Sequence, residues 1–342
     1  MIPELHWLQL AWFLLFGVLI AGYAVLDGFD LGVGILSLFG RSDRERRLHI
    51  NAIAPIWDGN EVWLVTAGGA LFAAFPPVYA TVFSGFYLPF MLLLVALIAR
   101  AVSMEFRGKV ESPRWRRFWD WSFGLGSLVP ALLYGVVVGN LLLGIPLSPA
   151  GDYTGSFLDL LHPFALLVGL QGLAMFICQG GLYMALKSEG DLKTRMQRFA
   201  TMAWSGWIVL FVASSVASFF TAPARMEGMT SSPWLWLVLL LLISGLLAIP
   251  LFVRTRPGLA FLASSLAVAA QVALAGVSLF PALVPASNDP ALSLTVSNAS
   301  ASEGSLMAMF IIAMVGMPLV LLYTFFIYRV FKGKVVIDEH SY

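Results

Sequence analysis

Nine apolar runs, each near the ~20 residues that a helix needs to cross a hydrocarbon core, lie at about residues 8–38, 53–75, 78–101, 118–143, 160–186, 200–221, 234–253, 258–281 and 305–330. A segment of that kind in lipid must satisfy every backbone N–H and C=O internally, which leaves the α-helix as its structure. The composition agrees, since 59% of the 342 residues are hydrophobic and only 11% are charged, too apolar for a soluble domain of this size. The expected fold class is therefore all-α, a polytopic membrane protein of nine transmembrane helices. One integral membrane domain is expected, with a first four-helix bundle over about 8–143, a second over about 160–281 and a peripheral ninth helix over about 305–330. The first run is long enough to continue past the membrane or to break near Gly28, Gly32 and Gly34.

The loops support this count independently. Arg41, Arg44, Arg46 and Arg47 fall between runs one and two, and Arg100, Arg107, Lys109, Arg114, Arg116 and Arg117 between three and four. Lys187, Lys193, Arg195 and Arg198 follow run five, Arg254 and Arg256 follow run seven, and Arg329, Lys332 and Lys334 follow run nine. Of the 20 Lys and Arg residues only Arg225 belongs to the opposite side. Because cytoplasmic loops carry the basic excess, the N-terminus is expected outside and the C-terminus in the cytoplasm. The start, Met1-Ile-Pro-Glu-Leu-His-Trp7, has no basic segment or small-residue cleavage site, so the first helix is expected to be retained. A net charge of +1 argues against nucleic acid, and the single Cys178 excludes an internal disulfide framework.

Against this apolar background the membrane acids are functional candidates, because ionisable groups at such depth are costly. Asp58 and Glu61 are three apart on run two and share a helix face, with Asn60 and the indoles of Trp57 and Trp63 close by. Asp27 and Asp30 repeat the spacing on run one. At about 1.5 Å per residue, Asp30 and Asp27 lie roughly 16 and 21 Å from Arg41, and Asp58 and Glu61 at matching depths from Arg47. Four carboxyls on adjacent antiparallel helices are expected to form one cluster opening to the cytoplasm and to share protons, the chemistry of a relay. The glycines of Gly28-Phe-Asp-Leu-Gly-Val-Gly34 superficially resemble a phosphate loop, but they follow a helical run, so close helix packing is the expected reason for them. A thin internal repeat aligns Phe13-Leu-Leu-Phe-Gly17 and Asp27-Gly28 with Leu166-Leu-Val-Gly169 and Gln179-Gly180, placing an amide where the first half has an acid.

Metal or haem binding by this chain is not expected. His6 and His340 are terminal, His49 lies in a basic loop and His162 opens run five, so no facing axial pair is offered. Met175 and Met184 read as core. On residues alone a proton-coupled secondary transporter and a purely structural membrane partner stay open beside a proton-handling enzyme subunit.

Asp27-Gly-Phe-Asp-Leu-Gly-Val-Gly34, Ile53-Ala-Pro-Ile-Trp-Asp-Gly-Asn-Glu-Val-Trp-Leu64, Thr66-Ala-Gly-Gly-Ala-Leu-Phe-Ala-Ala74, Phe83-Ser-Gly-Phe-Tyr87, Trp119-Asp-Trp121, Gly139-Asn-Leu141, Ser293-Leu-Thr295 and Tyr323-Thr-Phe-Phe-Ile-Tyr-Arg-Val-Phe-Lys-Gly333 together resemble subunit II of the cytochrome bd quinol oxidases over the whole chain. The resemblance implies a haem-bearing subunit I as partner, holding two b-type haems and one d-type haem, and a complex that oxidises quinol and reduces dioxygen to water. Protons for that water would come from the cytoplasm, generating a proton motive force without a separate pump. This subunit would ligate no haem, would stabilise subunit I and would line a proton-uptake route. By motif match the proton-transfer residues would be Asp58, Asp27, Glu61 and Asp30. Trp57, Asn60, Trp63, Gly28, Arg100 and Asp120 would give polar or packing support. A structural quinone, small single-helix subunits and membrane lipid complete the partners such a family suggests, and the site would be a prokaryotic inner membrane.

Overall fold

The computed structural model describes residues 5–222, 230 and 232–337, so Arg225 and His340 lie outside the described residues. The described chain is built from eleven α-helices: α1 (Trp7–Ser37), α2 (Asp43–Ile53), α3 (Trp57–Ala74), α4 (Pro76–Gly85), α5 (Tyr87–Phe106), α6 (Pro113–Leu143), α7 (Pro163–Lys187), α8 (Gly190–Thr221), α9 (Pro233–Phe252), α10 (Pro257–Leu279) and α11 (Glu303–Val330). Proline opens α4, α6, α7, α9 and α10, where its fixed φ suits the first turn and its missing N–H would have no partner. A small antiparallel pair, β1 (Ala282–Val284) and β2 (Leu294–Thr295), joins α10 to α11.

The helical membrane class is as expected, and each of the nine expected runs contains a helix. Among the described residues eight helices are long and apolar enough to cross a membrane. The helix of the second expected run begins only after Pro55, whose ring cannot continue a helix. Basic α2 lies before it and the 18-residue α3, diluted by Asp58, Asn60 and Glu61, after it. The third run breaks at Phe86 (φ −98°, ψ 24°) into α4 and α5, three residues before Pro89. The first run does not break: α1 is one helix of 31 residues through all three glycines.

Helix α1 is central. Every residue from Asp27 to Ser37 is buried, and α1 packs against α3, α6, α7 and α10. Its closest approach is to α7: a Cβ on Gly32 would lie 1.9 Å from the Phe176 carbonyl oxygen, and one on Gly180 would lie 2.4 Å from the Gly32 carbonyl carbon. Backbone therefore meets backbone at this crossing, the approach that small residues permit between membrane helices. Around it Leu31, Ile35, Phe176, Leu182, Trp207 and Leu246 form an apolar core. A second core, with Trp12, Phe75, Ile145, Val284 and Leu306, fills the end near the β pair. Helix α11 is peripheral, with Leu306 its one buried residue.

The opposite end is tied by ion pairs. Arg107 bridges Asp120 (2.6 Å) and Asp43 (2.7 Å), Arg46 lies 3.6 Å from Asp120, and Arg195 pairs with Glu45.

Candidate functional site

The site grows from α1. Asp27 sits one turn beyond Tyr23 and three residues before Asp30, and both carboxyls are fully buried. Arg100 of α5, also fully buried, reaches across: Nη2 is 2.9 Å from Asp27 Oδ1, and Nη1 is 2.8 Å from Glu61 Oε1 of α3. Tyr23 donates its hydroxyl to Asp27 Oδ2 (2.7 Å), and its oxygen lies 2.6 Å from that of Tyr134 on α6. Asn60 of α3 donates Nδ2 to Asp30 Oδ2 (2.7 Å) and accepts at Oδ1 from the Tyr328 hydroxyl of α11 (3.1 Å). Five helices thus converge on three acids and one guanidinium. A buried charge is tolerable when it is paired and hydrogen-bonded in this manner.

Arg100 is the main correction to its expected position in a basic loop. Helix α5 continues to Phe106, and Leu93, Ala96, Arg100 and Ser103 recur at three- and four-residue spacing on its buried face. By helical rise Arg100 lies roughly 10 Å further in than Arg107. Asp58 also departs from the expected four-acid cluster. It is exposed, one turn from Glu61, on the outward stripe of α3 that continues through Val62, Val65 and Phe72. The structure therefore brings together Asp27, Asp30, Glu61, Asn60 and Arg100, and leaves Asp58 beside them at the surface.

The other supporting residues are dispersed. Trp63 is buried with its ring 2.3 Å from where a Cβ on Gly22 would stand, Trp57 is half-buried against the core near Ile53, and Gly28 faces the Phe176 ring (2.6 Å from an added Cβ). Asp120 belongs to the ion-paired end. Gln179, the repeat counterpart of Asp27, donates to the Val25 carbonyl of α1 (2.8 Å). Three tyrosines, Tyr23, Tyr134 and Tyr328, join the site beyond the residues expected from the sequence. Tyr23 alone carried a signal, its i,i+4 spacing to Asp27 on a helix.

Outside the membrane helices, burial alone would raise Asp43 and Glu45. Arg107 with Arg116 and Arg47 holds Asp43 below its ordinary value, and the Arg41 backbone N–H with Arg195 holds Glu45 below its own. His49, buried in α2, is pushed by burial down to about 4. The described histidines serve local partners: His6 accepts from Leu8 N–H and lies 3.4 Å from Glu303, His49 Nδ1 bonds to the Glu45 carbonyl, and His162 caps α7 at Phe164 N–H. Among the described residues no group of three or more His, Cys, Asp or Glu is arranged to hold a metal ion.

Fold and site define a multi-pass helical membrane protein whose interior carries a neutralising arginine among acids. The chain belongs to the cytochrome bd terminal oxidase subunit II family, whose pattern it matches over residues 8–331. It is 39% identical to the cytochrome bd-I ubiquinol oxidase subunit 2 of Escherichia coli K12, over 97% of this chain and 96% of that one. The cytochrome bd ubiquinol oxidase subunit 2 of Bacillus subtilis is 36% identical, over 95% and 96%. The fold is shared with a chain of the bd oxidase of Geobacillus thermodenitrificans, at a TM-score of 0.80 and 16% identity, covering 95% of this chain and 99% of that chain.

Proposed function

We propose that this chain is the haem-free second subunit of a quinol oxidase in a bacterial inner membrane. It stabilises a haem-bearing subunit I and lines the path by which cytoplasmic protons reach the site of dioxygen reduction. The b- and d-type haems of subunit I supply the electron transfer and oxygen chemistry; the residues of this chain hold and pass protons. Its helices divide into two four-helix bundles and a ninth helix, with the N-terminus outside and the basic end in the cytoplasm. Lipid, a structural quinone and small single-helix subunits are accommodated around it.

The observation that carries this reading is the Asp27–Arg100–Glu61 cluster and its edge at Asp58. Three carboxyls surround one guanidinium, so a low-dielectric interior balances the remaining charge with protons. Glu61 keeps 24% of its side chain exposed, and Asp58 stands one turn away on an apolar, outward face suited to a partner subunit. A proton arriving at Asp58 meets Glu61 next, then the Arg100–Asp27 pair. Asp58→Asn keeps shape and hydrogen bonding while removing the exchangeable charge. The complex should assemble with its full haem spectrum while quinol-driven oxygen consumption falls. An assembled, haem-replete Asp58→Asn complex with wild-type oxygen consumption and charge separation would overturn the relay and leave the chain a scaffold.

A further inference from the structure

Helix α11 is held at its ends. Near its start, Trp12 Nε1 donates to the Leu306 carbonyl (2.9 Å). Beyond its finish the chain interlocks with the end of α7: Lys187 Nζ donates to the Phe331 carbonyl (2.6 Å), Lys334 Nζ to the carbonyls of Leu186 (2.7 Å) and Ser188 (2.8 Å), and Val335 N–H to the carbonyl of Lys187 (2.9 Å). Carbonyls at a helix end have no partners within the helix, and cations there meet the negative end of its dipole. This clamp closes on the chain just past Tyr328, whose hydroxyl donates to Asn60 Oδ1 (3.1 Å).

The consequence is directional. Asn60 Nδ2 faces two acceptors, Asp30 Oδ2 at 2.7 Å and the Leu26 carbonyl at 3.3 Å, while Oδ1 faces the Tyr328 donor. Turned over, the amide would set its carbonyl oxygen against both acceptors. With the amide fixed, Asp30 Oδ2 is occupied and Oδ1 is buried without a hydrogen-bond partner among the described residues. The charged and titratable groups acting on Asp30 are Asp27 of its own helix, Glu61, Arg100, Tyr183 of α7 and Tyr328.

We propose that Tyr328, held by the clamp between the tail and α7, is a positioning residue that locks the Asn60 amide so that Asp30 presents Oδ1 as its one oxygen free to take and release a proton. This rests on the relay reading above. Only O–H bonds change: one forms at Oδ1 as one breaks on a hydronium ion or a protonated carboxyl of the cluster, and the reverse step restores the carboxylate.

The test uses the assembled oxidase carrying Asp30→Asn, Tyr328→Phe or Lys334→Ala, with haem content, the pH profile of oxygen consumption and infrared carboxyl bands as readouts. Asp30→Asn should slow turnover and delete one carboxyl band. Tyr328→Phe should slow turnover about 2- to 10-fold, the scale of one hydrogen bond, and displace that band. It should also move the profile to higher pH, because a freed amide can turn its carbonyl toward Asp30 and favour the protonated acid. Lys334→Ala should shift the profile the same way by less. A slow Asp30→Asn with wild-type band and profile in Tyr328→Phe overturns the positioning role and leaves the relay standing, whereas wild-type turnover in Asp30→Asn takes Asp30 off the route and overturns this proposal, the relay through Asp58, Glu61 and Asp27 being decided by Asp58→Asn. If Tyr328→Phe does not assemble, Lys334→Ala decides: a shifted profile supports the proposal and an unshifted one overturns it.

Discussion

Arg100 balances the charge of the membrane interior, since two of its nitrogens bond to acids of two different helices. Removing it strands those acids in low dielectric. Arg100→Gln should therefore lower the stability of the complex by about 3–5 kcal/mol, the usual result of breaking a buried ion pair from one side. Arg100→Lys should lose less, because the charge survives while the two-pronged geometry does not. Adding Asp27→Asn to Arg100→Gln should recover part of the loss. Thermal unfolding of the three variants reads these differences, and an Arg100→Gln complex that melts like wild type would sink the assignment. The acids were legible in the sequence because Asp27, Asp30, Asp58 and Glu61 interrupt apolar runs. Their partner Arg100 is a supporting residue only through the family resemblance; read from the run alone it falls with the basic loop, because an arginine near the end of a run resembles the loop that follows. Only the neighbouring helices show that Arg100 faces inward, just as only they show that Asp58 does not.

Among the elements, α1 and α7 make the tightest junction. An alanine at Gly32 or Gly180 has no room, because the atoms it would meet are backbone. Gly32→Ala or Gly180→Ala should prevent or strongly reduce assembly, whereas Gly276→Ala on α10, where an added Cβ meets nothing within 4 Å, should stay within about 1 kcal/mol of wild type. Yields of haem-loaded complex compare them, and equal yields would show that the crossing yields freely. Long spans such as α1 and α7 could be read from hydropathy alone. The division at Phe86 could not, because the apolar pattern runs across it. Pro55 instead marks the boundary between the basic α2 and α3, and Pro89 sits in the first turn of α5. Helix α3 was legible for its acids and for that reason falls short of the apolarity of its neighbours.

For the whole molecule, the ion-paired end sets the response to acid. His49, Asp43 and Glu45 all bind protons less readily in the folded chain than when unfolded. Their stabilisation is complete above the ordinary histidine value of 6.5 and is lost on acidification, first as the pH falls toward about 4 for His49 and then through the carboxylate range for the acids. The melting temperature of the complex should fall over that window, and His49→Gln should flatten its upper part. An unaltered slope in His49→Gln would assign the loss elsewhere. The contact between Gly32 and Gly180 bears on a different property, the freedom of large parts to move past one another. Carriers that alternate their access do so by rocking one group of helices against another. A slide of four residues, about 6 Å along the axis, would bring Leu36, which shares the face of Gly32, against the backbone of α7 at Phe176 and Gly180, where an added Cβ already has no room. Traffic on the proposed reading is thus confined to what can hop between oxygens and nitrogens while the helices stand still, and the junction serves as a lock against leakage of anything larger.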